Sequence, residues 1–397
     1  MDLAPTSISK QRARTQRDSF RMDKLPMEIV QNIFFRIDNF DTLRSAILTC
    51  RHLHAAFTSR ERSIVTQVLV NQIGWDVLPE AIVVDESFRL EAYNSSLGTY
   101  DSQKAEEFSK KHLSHRMTSL SEPARWNLAE ALPLVRLHKV VKFLAKQIAD
   151  YICGPRYVRQ GQLMYRLPFE PCEPMPSSEG LYRIQRALYR FQLYWNMFGL
   201  SEAGAGLATR RYAYFRIFSV WENEQLACAQ HHLLRIIRKP VDMDPFAHHD
   251  AFECYLSSSL SESGSEFSQH ALSQGLEYIY EIATSETFAD ARKLLKNIFS
   301  SLAEPSLAPI PNNLFESLRR CSPPVDFGRP FRELDEEDRN HLVENPYCND
   351  NHCSYMSELL EATYDLAYTL DDNGGELDER GTCSEEGYAF WDWYYPH

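Results

Sequence analysis

A chain of 397 residues, 44% hydrophobic and 24% charged, has the length for two or three domains and the makeup of an ordinary folded protein with a well-buried core. Its net charge of −13 disfavours general nucleic-acid binding, which needs a basic stripe. With only 15 glycines it is a poor match for Gly-rich nucleotide-binding folds or many-turned β-propellers.

Residues 1–24 are polar, and Lys10, Arg12, Arg14, Arg17, Arg21 and Lys24 outnumber Asp18 and Asp23. This reads as a solvated, disordered basic leader. A nuclear address, a contact for an acidic partner and an Arg-rich presequence are the other readings. No apolar signal segment opens the chain and no run is long enough to cross a membrane. The 9 cysteines are odd in number and dispersed, as expected of reduced thiols in the cytoplasm or nucleus.

Residues 25–57 predict three short helices. Pro26 suits a helix start, because its missing N–H costs nothing there. Ile29, Ile33 and Ile37 recur every four residues, with Val30 and Phe34 widening the face. The stripe is broad for so short a helix. It predicts burial on one flank against the chain itself and on the other against something else. Asp41 is the expected N-cap of a second helix carrying Leu43, Ala46 and Ile47. A third places Cys50, Leu53 and Phe57 at helical spacing.

The ordered set Leu25-Pro26, Glu28-Ile29, Ile33-Phe34, a Leu in the second helix, then Cys50-Arg51 and an apolar residue resembles an F-box. The resemblance covers under a tenth of the chain. It implies binding to a Skp-type adaptor subunit, which tethers a substrate-recognition region to a cullin–RING ubiquitin ligase. Leu25, Pro26, Ile29, Ile33, Phe34, Leu43, Leu48 and Leu53 are then the residues for adaptor contact or its immediate support. Two positions depart from the family. His52 and Leu53 stand where Trp is frequent, and the turn Asp38 to Asp41 is polar where the family is often apolar.

Beyond residue 60 the pattern is helical. Ile64, Val65, Val68 and Leu69 share a face, and Gly74 marks a stop. Ala81 to Val84 is β-branched and reads as a short strand or extended connection. Leu134, Leu137, Val141, Leu144 and Ile148 define a strong helix over 134–153. Residues 157–167 alternate weakly, as a strand or hairpin arm does. Pro168, Pro171, Pro174 and Pro176 make 168–178 an internal linker or crossing. Leu181, Ile184, Leu188, Phe191, Trp195 and Phe198 define the clearest helix, over 179–198, with Arg183, Arg186 and Arg190 on other faces.

Ser219 to Glu222 matches a capping box ahead of a helix that packs Leu226, Leu233 and Ile237 and stops at Pro240. A helix over 271–283 follows, and another over 284–301 with Phe288, Ala291, Leu295 and Ile298 inward. Residues 304–330 are proline-interrupted, and 355–370 read as a further helix. The chain closes on an aromatic run in which Trp391, Trp393 and Tyr395 alternate. Such residues favour interfaces, and also suit a tail docked on its own domain. The helical stretch near WENEQLA and this aromatic end resemble poorly characterised F-box-like proteins common in filamentous fungi.

Chemistry leaves no local signature. Cys348, His352 and Cys353, with His341 before them, lack the clean second pair of a zinc site, so no metal is expected. Gly204-Ala205-Gly206 reads as a loop, not a phosphate cradle, and no nucleophile elbow, kinase or P-loop motif occurs, so no cofactor is expected. No repeat period of a familiar recognition scaffold is present.

The expected architecture is mostly α: an N-terminal three-helix F-box at 25–60, then an irregular α-helical domain over 61–397 with proline-rich crossings. The expected role is a non-catalytic ubiquitin-ligase subunit, with a Skp-type adaptor and an unknown protein target as partners and no nucleic acid or membrane. Trp391, Trp393 and Tyr395 are the candidate target contacts. The alternatives are a helical scaffold whose F-box-like unit only packs, and an enzyme without a recognisable motif.

Overall fold

The computed structural model describes residues 25–89, 93–94, 99–100, 126–152, 157–160, 163–166, 178–198, 217–218, 220–242 and 266–302, with a few single positions between and beyond them. The leader 1–24, the proline-rich stretch 168–177, the Cys348/His352/Cys353 cluster, the helix expected over 355–370 and the set Trp391, Trp393 and Tyr395 lie outside the described residues.

The protein is mostly helical, with eleven helices among the described residues. They are α1 (Met27–Phe34), α2 (Phe40–Thr49), α3 (Arg51–Ser59), α4 (Glu61–Ile73), α5 (Leu78–Phe88), α6 (Leu128–Ile152), α7 (Ser178–Phe198), α8 (Val220–Asp242), α9 (Glu266–Ser273), α10 (Leu276–Thr284) and α11 (Phe288–Leu302). Two small antiparallel hairpins interrupt them: β1 (Tyr93–Asn94) with β2 (Thr99–Tyr100), and β3 (Tyr157–Gln160) with β4 (Leu163–Arg166). In the second, Tyr157 lies opposite Arg166 and Gln160 opposite Leu163, so the weak alternation over 157–167 is a hairpin.

One continuous cluster of buried apolar side chains runs from Val30 and Phe34 in α1 to Ile298 in α11. The helix α7 lies at its centre. Ile184, Leu188, Phe191, Trp195 and Phe198 are buried as the spacing predicts, but so are Tyr189, Tyr194 and Met197 on other faces. A helix buried nearly all round, its polar Arg183, Gln185, Arg190 and Gln192 included, is a central helix and not a surface one. α7 packs against α5, α6 and α8. Around Tyr194 the rings of Trp195, Phe198, Tyr214 and Phe215 lie 5.3–6.0 Å away, centre to centre, in edge-on, tilted and stacked pairs.

Several sequence expectations change. The stretch Ala81 to Val84 is helix within α5, led in by Pro79, because its apolar side chains pack against α7. Tertiary burial overrides the β preference of Ile and Val. The helix expected from residue 134 begins at Leu128 and passes through Pro133. Its start is secured by a reciprocal cap: the Glu130 N–H donates to Asn127 Oδ1 and the Asn127 N–H to Glu130 Oε2, each at 2.9 Å. α8 likewise runs past Pro240 to Asp242. Its Glu222 binds Arg190 of α7, while Ser219 lies outside the described residues. Arg183 and Arg190, expected on other faces of α7, are buried. Phe288, expected inward, is exposed.

The single helix expected over 271–283 is two, broken at Gly275. Its φ of 85° and ψ of −178° are open almost only to glycine. A Cβ there would lie 2.8 Å from Gln192 Oε1, the atom that accepts the Leu276 N–H at 2.7 Å and so caps α10. Gly275→Ala is expected to lower stability by roughly 1–3 kcal/mol through backbone strain and the disturbed cap. Urea unfolding of wild type and variant measures it, and an unchanged midpoint would show that the α9–α10 corner tolerates a side chain.

Candidate functional site

The short helix α1 is divided lengthwise. Val30, Gln31 and Phe34 face inward, and Phe34 meets Phe57 of α3 edge-on at 6.4 Å between ring centres. Pro26, Ile29 and Ile33 follow one another at i, i+3 and i+7, which places them on one flank. That flank is open: Ile29 is 46% exposed, Ile33 41%, and Pro26 is exposed as well. Phe34, one residue on, is 1% exposed. The broad stripe of the sequence therefore resolves into an inner half that packs and an outer half that no described part of the chain covers.

The other residues expected at the adaptor contact separate in the same way. Leu43 and Leu53 are core residues. Leu25 is partly buried and packs on the core, while Leu48 on α2 is 73% exposed. Ile37 lies beyond the end of α1 and is partly buried. Met27, which sequence reasoning did not single out, is 37% exposed, and its sulfur accepts from Ser59 Oγ at 3.6 Å. Its place next to Pro26 at the exposed helix start was the available signal.

Polar side chains fix this unit from several sides. Gln31 reaches across to α3, where its Nε2 donates to the Ala56 carbonyl at 3.3 Å and to Ser59 Oγ at 2.8 Å. His52, at the position where the F-box resemblance departs from the common Trp, donates through Nε2 to the Leu25 carbonyl at 2.9 Å. The N-cap of α2 is Asn39, whose side chain accepts the Thr42 N–H at 2.8 Å, and not Asp41. Asp41 instead meets Lys139 of α6 at 2.8 Å. Cys50 is not inside α3 but is the extended residue between α2 and α3.

A second cluster lies inside the fold. Arg190 of α7 is 2% exposed and binds two carboxylates, Glu80 of α5 at 3.2 Å and Glu222 of α8. Its guanidinium also lies 5.2 Å from the Phe218 ring centre, and its carbonyl accepts from Tyr214 Oη at 3.0 Å. Next to it, Tyr189 pairs with His138 Nδ1 of α6 at 3.1 Å. Burial holds the His138 pKa down, at about 4. The nearby Lys142 adds to this, and a hydrogen bond with the Gln72 backbone opposes it. Burial and the Glu80 charge push the Tyr189 hydroxyl well up.

These are titratable groups with shifted pKa values, the kind that mark active sites. The adjoining cavity, lined by Pro79, Glu80, Val83, Tyr189, Arg190 and Phe218 among others, holds about 10 Å³, room for about one water molecule. The cluster therefore joins α5, α6, α7 and α8, and the described residues around it leave room for about one water. Among the described residues no group of three His, Cys, Asp or Glu side chains is placed to hold a metal, and no helix is long and apolar enough to cross a membrane.

Comparison with protein families, curated proteins and solved structures finds no match to this chain.

Proposed function

We propose that the chain is a substrate-receptor or adaptor subunit of a cullin–RING ubiquitin ligase, docking to a Skp-type adaptor through α1–α3 and holding a protein target on its remaining bulk. The observation that carries this reading is the outer flank of α1, where Ile29 and Ile33 stand exposed beside Pro26 while Val30 and Phe34 are buried. Paired isoleucines left in water on one helix flank supply apolar area for a partner to remove. The residues are those that carry the F-box resemblance. Such a protein does no bond chemistry; it raises the concentration of a target beside the ligase. Trp391, Trp393 and Tyr395 remain the proposed target contacts, and the cytoplasm or nucleus the proposed compartment.

One observation favours a different reading. Phe34, Leu43 and Leu53 belong to the same buried cluster as the rest of the fold, as they would in a unit that serves only packing. Titration of the full chain against a purified Skp-type adaptor separates the two. The wild-type chain is expected to form a 1:1 complex. Ile29→Asp with Ile33→Asp is expected to weaken it at least about 100-fold, since each buried Ile is worth about 1.5–3 kcal/mol. Circular dichroism should be unchanged, because both side chains are exposed. Absence of a complex with the wild-type chain would leave the packing module as the reading.

A further inference from the structure

We infer that Asn71, which lies on α4 and outside the F-box-like stretch, is a positioning residue that holds the docking flank of α1 in its binding geometry. The inference rests on the adaptor-docking reading.

α1 has 8 residues, two turns, too few to hold a helix by its own hydrogen bonds. It is pinned at both ends by side chains from other helices. At its start, His52 of α3 binds the Leu25 carbonyl at 2.9 Å. At its end, the Asn71 amide donates to two carbonyls of the following turn, Phe35 at 2.9 Å and Ile37 at 2.8 Å. An amide NH2 has two hydrogens, so both are used here. Gln67, one turn back on α4, donates to Asn71 Oδ1 at 2.8 Å and fixes which way the amide points. The next residue, Gln72, accepts the N–H of Phe40, the first residue of α2, at 2.9 Å. Three amide side chains of α4 thus fix the connection from α1 to α2. This connection runs into the Asp38 to Asp41 segment, one of the two places where the chain departs from the family resemblance.

Asn71 itself is exposed, and Ala is a better helix former, so its replacement removes the two carbonyl contacts without disturbing α4. α1 then spends part of its time out of register, and apparent affinity falls by the fraction of competent molecules. Asn71→Asp keeps the shape but offers no donor, and is expected to behave like Asn71→Ala.

The experiment uses the full chain with a purified Skp-type adaptor. It measures affinity, amide hydrogen exchange along residues 27–43, and the urea midpoint. Both variants are expected to bind about tenfold more weakly, by a competent fraction reduced to about a tenth. Exchange should quicken in α1 and the turn after it, with the midpoint little changed. Unchanged affinity in both variants overturns the inference. So does a fall in the midpoint with exchange quickened uniformly, which marks a structural role only. If the wild-type chain binds no adaptor, the docking reading fails by itself. The exchange arm then decides whether Asn71 pins α1: unchanged exchange at residues 27–43 overturns the pinning, and local quickening upholds it.

Discussion

Exchanging Arg190 for Met is expected to lower the stability of the whole protein by about 3–5 kcal/mol, the usual cost of removing one member of a buried charge group. The guanidinium is the shared partner of Glu80 and Glu222, whose carboxylates come from helices on either side of α7. Met fills similar volume and keeps apolar contact with Phe218, so the loss comes from removing the positive charge that Glu80 and Glu222 share. A triple variant, Arg190→Met with Glu80→Gln and Glu222→Gln, neutralises both carboxylates as well and is expected to recover a large part of the loss. Urea unfolding at neutral pH measures both. A loss under about 1 kcal/mol in the single variant would place the triad among weak surface pairs. A triple variant no better than the single one would show that packing, not charge, carries the effect.

Acid is expected to destabilise the fold before its carboxylates titrate. An unfolded His takes up a proton near pH 6.5, whereas buried His138 does so only near 4. The unfolded chain therefore binds more protons across this window. Stability is fully present above pH 6.5 and is lost as pH falls toward 4. At 1.36 kcal/mol per pKa unit, His138 alone accounts for about 3 kcal/mol. His231 is also held down to about 4, by burial and then by Arg238 and Arg235; being partly exposed, it adds a smaller share. The measurement is the urea midpoint between pH 7 and pH 5, in wild type and in His138→Met. The variant should show the shallower slope, and equal slopes would mean that His138 takes up its proton over the same pH range in the folded and unfolded chains.

The helical architecture was largely legible in the chain. Stripes such as Leu134 to Ile148 and Ile184 to Phe198 have a period that local geometry alone imposes. So was the division of α1 into a buried and an exposed flank, since a two-turn helix with Ile29, Val30, Ile33 and Phe34 has more apolar surface than one flank can bury. Less legible was whatever depends on residues distant in sequence. Nothing near Arg190 announces that it will be buried, because its partners lie 110 and 32 residues away. The β-branched run Ala81 to Val84 suggests a strand until α7 is there to cover it. Gly275 looks like a permitted glycine within a helical period, and only its approach to Gln192 makes it a break. The Asn127–Glu130 cap was readable in principle, since an Asn followed three residues later by a Glu has the spacing of a reciprocal cap. On α1, the exposed residues Pro26, Ile29 and Ile33 were named together with inner ones, because one periodicity serves both faces.

The clamps around α1 have a consequence for the order in which the chain can assemble. His52 reaches Leu25 across 27 residues, Gln31 reaches Ser59 across 28, and Asn71 reaches Phe35 across 36. The ties that seat α7 against α5 are of another kind: Glu80 to Arg190 spans 110 residues and Ser87 to Asn196 spans 109. Short closures lose less chain entropy and form sooner. On a ribosome, where the N-terminal end emerges first, every side chain that pins α1 is available about a hundred residues before the central helix has been made. The exposed flank of α1 is thus held by contacts that close ahead of the ties seating α7 against α5, and its shape does not wait for the core behind it.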